Sequence, residues 1–311
     1  KCNEGISTHF NKRNIMRKTL IVTHVMPLEL EMFERFISYY KKCFSYLDSN
    51  DDVTMYVTLN LNPKLTDWDN SKLKQQWFID KFTESMIGVK SHLQIIVDES
   101  VWGTTQQKRD VAKLDYDQFI FVDPDISIHE QQLKLQLMAA QQISEESDLF
   151  VLSPNIPRWW DTSWDVLVHK SRMNNELGEF RNKQTFIDTF KQNPTEVGIR
   201  RLNTFKFGCG MHTLYSKKFW QTMEIPIEFG GYGSEDTFGM IASSEAVKLG
   251  VDVRQYVLDG IYITEDKDIE HREPSYIDDI VVFETKVDGK KYSNEILPQV
   301  IQRFRNSILN K

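Results

Sequence analysis

Four short runs of β-type composition, at residues 19–25, 52–59, 93–97 and 119–122, punctuate the first 125 residues of this chain. After the first run, Met32, Phe33, Phe36, Ile37, Tyr40 and Phe44 recur at three- and four-residue intervals, the period of a helix with one apolar face. A second helical pattern covers residues 71–86, and Asn60-Leu61-Asn62-Pro63 closes the second run with turn chemistry. Strands separated by helices predict an α/β domain, with a mostly parallel central sheet flanked by helices on both faces. Ligands of such sheets gather at the carboxyl ends of the strands. Thr23, Asn60, Asp98 and the residues after Val122 occupy such ends.

The second half is less regular. Residues 131–143 read as a helix, and residues 149–152 as a strand running into Ser153-Pro154-Asn155. Residues 207–215 read as a strand entered through glycine, 235–249 as a helix stopped by Gly250, and 255–263 as another strand. Residues 280–285 and 290–292 flank Val287-Asp288-Gly289, a hairpin turn, and residues 295–309 form an amphipathic terminal helix. There is no internal repeat, low-complexity tract or linker, so a single domain over 1–311 is expected.

Charge and cysteine usage narrow the class. The formal net charge is -7, which argues against nucleic acid as a general partner. No apolar run approaches the ~20 residues of a membrane span. Cys2, Cys43 and Cys209 lack metal-type spacing, and an odd, sparse count favours free thiols in a reducing compartment. A cytoplasmic location is therefore expected. The chain begins at Lys1 without Met, so an upstream anchor or signal remains compatible with it.

The chemistry concentrates at Phe121-Val122-Asp123-Pro124-Asp125. In an extended segment residues i and i+2 share a side, so Asp123 and Asp125 are expected to converge on one cation. Paired carboxylates suit hard, oxygen-seeking Mn²⁺ or Mg²⁺. The usual substrate partner of such a cation is a phosphate or diphosphate.

About 110 residues later comes Phe229-Gly230-Gly231-Tyr232-Gly233-Ser234-Glu235-Asp236. An Asp-x-Asp strand followed by a Gly-aromatic-Gly-x-Glu-Asp segment resembles the metal-dependent glycosyltransferases of the GT-A fold. Residues 205–220 look like the strand that precedes the acidic segment in that family. Residues 97–103 with Lys108-Arg109 look like its donor-binding stretch. The resemblance spans roughly residues 19–270, and the tail from Pro274 lies beyond it.

The resemblance implies a nucleotide-sugar-binding half at about 15–130, an acceptor and catalytic half at 131–273, and a C-terminal hairpin and helix at 274–311. It implies a nucleoside-diphosphate sugar donor held by Thr23, Asn60, Asp98, Gly103, Lys108, Arg109 and Asp123. Asp123 and Asp125 would hold Mn²⁺ (or Mg²⁺), with His271 as a third ligand and His212 as its rival. Asp236 would be the base of an inverting transfer, with Glu235 on the acceptor. The acceptor would be a carbohydrate, glycolipid or glycoprotein, contacting Gly231 and Tyr232. Trp159, Trp160 and Trp164 offer flat apolar surface suited to a sugar face.

Three other readings compete. A retaining transferase would use the same fold. A haloacid-dehalogenase-like phosphatase would use Asp123 as nucleophile, but its motif normally opens a domain, and more than 100 residues precede it here. A carbohydrate-binding module would keep the fold without turnover.

Overall fold

The computed structural model describes residues 17–61, 72–97, 103–155, 197–203, 212–223, 225–227, 235–265, 295 and 297–309. The first half is built as the alternation predicts. Strand β1 (Lys18–Val25) leads into helix α1 (Leu30–Ser45), then β2 (Asp52–Asn60), α2 (Lys72–Ser85) and β3 (Ser91–Ile96). Helix α3 (Thr104–Val111) returns the chain to β4 (Gln118–Val122), which is followed by the short β5 (Ile126–Ile128) and by α4 (Gln132–Ser144). The second half contributes β6 (Phe150–Asn155), β7 (Gly198–Arg201), β8 (His212–Ser216), α5 (Lys217–Thr222), α6 (Glu235–Lys248), β9 (Arg254–Glu265) and α7 (Leu297–Leu309).

The strands form one sheet in the order β3-β2-β1-β4-β8-β6-β9-β5, with β7 on β9. The block β3-β2-β1-β4 is wholly parallel. β8 runs antiparallel between β4 and β6, and β6 pairs parallel with β9. The register slips where Pro154, which has no N–H to donate, meets β9: Pro154 faces Leu258, but Asn155 faces Tyr262. The extra β9 residues include Gly260 at φ 86°, a left-handed conformation that favours glycine in a bulge.

Strand alternation divides the core between two faces. Ile21, Val25, Met55, Val57, Ile120 and Val122 pack under α1, α2 and α4, where Phe33, Phe36, Ile37 and Phe82 are fully buried. Leu20, Val22, Phe119 and Phe121 point to the opposite face, where they meet Val111, Phe219, Trp220, Phe238 and Phe304. Each large apolar side chain fully buried this way contributes roughly 1.5–3 kcal/mol. Positions 33, 36, 37, 40 and 43 of α1 all turn inward, as their helical spacing requires. No helix among the described residues is long and apolar enough to cross a membrane.

Candidate active site

The strand order reverses direction at β1. Through α1 and α2 the chain moves outward to β2 and β3, and through α3 it returns to the other side of β1 as β4. Connections on opposite sides leave a crevice at the carboxyl ends of β1 and β4, the switch point where open α/β sheets hold ligands.

Thr23, Asn60 and Asp123 come to this region from three adjacent strands. Thr23 follows Val22, whose β4 partner is Phe121, and Asp123 lies two residues beyond that partner. Asn60 ends β2. Thr23 and Asn60 are buried, at 1% and 0% exposure, so they form the floor beneath the crevice rather than its surface. Asn60 Nδ2 lies 3.4 Å from His24 Nε2. Loss of hydration lowers the His24 pKa to about 4, so its imidazole is neutral at ordinary pH.

Asp123 is half-buried, and Asp125 is 8% exposed. The expected extended geometry is corrected here. β4 ends at Val122, and Pro124-Asp125 form a turn into β5. Strand alternation therefore does not set the mutual orientation of the two carboxylates; the turn does. The donor set remains two carboxylates at a strand end, oxygen chemistry that fits a hard divalent cation. Among the described residues, no group of three or more His, Cys, Asp or Glu side chains gathers to hold a metal.

His212 stands opposite Val122 in the register of β4 and β8. It is fully buried on the α1 face, with its ring stacked 6.4 Å from that of Tyr40. Its place is in the core. His271 lies outside the described residues, as do Asp98, Trp159, Trp160, Trp164, Gly231 and Tyr232. Glu235 and Asp236 are the first two residues of α6.

Gly103 precedes α3 in an extended conformation, and its carbonyl accepts from the Gln107 backbone at 3.0 Å. Gln107 escaped the sequence reading. Its buried Nε2 donates to the Thr23 carbonyl and to Thr58 Oγ1, both at 2.8 Å. Gln94 Oε1 accepts from Thr58 at 3.2 Å and from Tyr56 at 3.0 Å. One buried polar chain thus ties α3 to the ends of β1, β2 and β3. The only available signal was a glutamine four residues after Gly103, which a polar helix start does not distinguish from a surface residue.

Lys108 Nζ sits 5.3 Å from the centre of the Phe121 ring. Arg109 is bonded away from the crevice. Its Nη1 donates to the Pro226 carbonyl at 3.1 Å, while Nε and Nη2 donate to Gln106 Oε1 at 3.3 and 2.8 Å. Gln106 Nε2 is held in turn by the Asp110 carboxylate at 3.1 Å. Arg109 therefore fastens Pro226 to α3.

No protein-family model and no curated protein matches the chain. Solved structures do. The Staphylococcus aureus TarS fragment 1–349 aligns at TM-score 0.45 and 13% identity, covering 93% of this chain and 71% of that one. Its complex with UDP aligns at 0.46 and 12%, covering 94% and 72%. GalNAc-T7, solved with UDP, GalNAc and Mn²⁺, aligns at TM-score 0.51 and 12% identity over 94% of this chain. The chain has the GT-A fold. It spans 55% of the GalNAc-T7 chain, about half its length. Within the GT-A fold of this chain, the turn after β4 and the start of α6 carry the acidic residues, and Gln107 braces the ends of β1 and β2.

Proposed function

We propose that this chain is a glycosyltransferase that moves a sugar from a nucleoside-diphosphate sugar to an acceptor hydroxyl. The observation that carries the reading is a carboxylate pair, Asp123 and Asp125, placed directly after β4 at the switch point of a GT-A fold. GalNAc-T7, which shares the fold, is solved with UDP, GalNAc and Mn²⁺. In this reading Asp123 and Asp125 hold Mn²⁺ or Mg²⁺, with His271 as a third ligand. The bound cation would stabilise negative charge on the departing diphosphate.

The remaining roles belong to the chain's own residues. Asp98 and Gly103 face the donor, and Thr23 and Asn60 support them from the floor of the crevice. Arg109, bonded to Pro226 and Gln106, supports α3 rather than touching the donor. Asp236 accepts the proton of the attacking hydroxyl, which makes the transfer inverting, and Glu235 binds the acceptor. Gly231, Tyr232 and the tryptophans at 159, 160 and 164 contact the acceptor, a carbohydrate, glycolipid or glycoprotein.

Release of nucleoside diphosphate from a panel of nucleotide-sugars, with Mn²⁺ and with chelator, tests the reading. Metal-dependent release, absent with simple phosphomonoesters, is the expected result. Turnover of phosphomonoesters alone would instead favour the phosphatase reading of Asp123.

A further inference from the structure

The helical layer over the second face of the sheet leaves a groove of about 680 Å³ between α3 and α7. Its volume falls in the range of small-molecule sites. Trp220 and Phe238 lie at its base, and Ile225 and Ile227 form one lip. Ile227 is 75% exposed, a large apolar side chain turned to water beside the opening. Trp220 is 4% exposed, and its indole Nε1 finds no hydrogen-bond partner among the described residues. A buried donor of this kind costs free energy unless something accepts from it.

The charged side chains that line the groove are all cationic, although Lys113 Nζ also reaches the Asp110 carboxylate behind the wall at 3.4 Å. Lys108, Arg109 and Lys113 come from α3, and Arg303 comes from α7. No carboxylate lines the groove among the described residues, although the chain holds 45 acidic residues against 38 basic ones. Such a wall raises the local concentration of anions.

We propose that this groove binds a small amphipathic anion. Its apolar body would lie against Ile225, Ile227 and the base of the groove. Its phosphate, sulfonate or carboxylate would face Lys113 and Arg303. The groove opens in the helical layer rather than at the strand ends, so the proposal does not depend on the glycosyltransferase reading.

The test uses 8-anilinonaphthalene-1-sulfonate as the probe and the neutral N-phenyl-1-naphthylamine as its control, both read by fluorescence on the folded chain. The sulfonate should bind saturably at one site and at least tenfold more tightly than the neutral dye. Lys113→Gln with Arg303→Gln should remove that preference, and Ser307→Trp should block both dyes by filling the groove. UDP with Mn²⁺ should not displace the sulfonate. Circular dichroism checks that each variant is folded. If the double variant is not, Ser307→Trp and the UDP competition decide the question. Equal binding of the two dyes to the native chain, unchanged binding to Ser307→Trp, or displacement by UDP with Mn²⁺ would overturn the proposal.

Discussion

His212 should make the stability of this fold depend on acid, by an amount the structure sets. The ring is fully buried, and among the described residues neither of its nitrogens has a hydrogen-bond partner. Burial lowers its pKa from the usual 6.5 to about 4. The folded state therefore keeps the imidazole neutral at pH values where the unfolded chain protonates it. A depressed folded pKa gives stability that is complete above about pH 6.5 and is lost as pH falls toward 4. At 1.36 kcal/mol per pH unit, the whole effect is about 3 kcal/mol, of which roughly 2 kcal/mol disappears between pH 7 and pH 5.

His212→Phe keeps an aromatic ring against Tyr40 and removes the titrating group. Urea unfolding of both proteins across pH 5–7.5 isolates the effect, because His24 and every other titrating group remain in each. The stability of His212→Phe relative to the parent should rise by roughly 2 kcal/mol as the pH drops from 7 to 5. Any packing cost of the larger ring shifts the difference equally at all pH values. A difference that stays constant over this range would refute the argument that His212 is buried neutral.

Three further outcomes follow from the site. Gln107→Leu leaves the Thr23 carbonyl and Thr58 hydroxyl without their donor, which should cost about 1–3 kcal/mol in urea unfolding and weaken nucleotide binding by loosening the end of β1. Asp236→Asn should cut turnover by roughly 10²–10⁴-fold while donor affinity, measured by calorimetry, persists. Glu235→Gln should act mainly on the acceptor KM.

The sequence made the first half of the fold readable because its strands alternate and its helices have one clear apolar face. Phe33, Phe36, Ile37 and Tyr40 are all buried where their spacing puts them. Helix α3 was hidden for the opposite reason. Thr104-Thr105-Gln106-Gln107-Lys108-Arg109 has no apolar period, because those positions serve a buried polar chain and a cationic groove. β5 and β7, at three and four residues, are too short for a period to register. Strand alternation also could not show that Pro124-Asp125 turn out of β4, or that Thr23 and Asn60 end up beneath the crevice. Those facts belong to the packing of neighbouring strands. The aim of Arg109 at Pro226 joins residues 117 positions apart, which no local pattern encodes.

The central claim is that Asp123 and Asp125 make a metal-dependent diphosphate site at the end of β4. Calorimetric titration of UDP into the chain, with Mn²⁺ and with chelator, before and after Asp125→Ala, tests it most directly. The account predicts binding that requires Mn²⁺ and falls at least tenfold in the variant, with the fold intact by circular dichroism. Equal affinity with metal and with chelator, or unchanged affinity in Asp125→Ala, would contradict it.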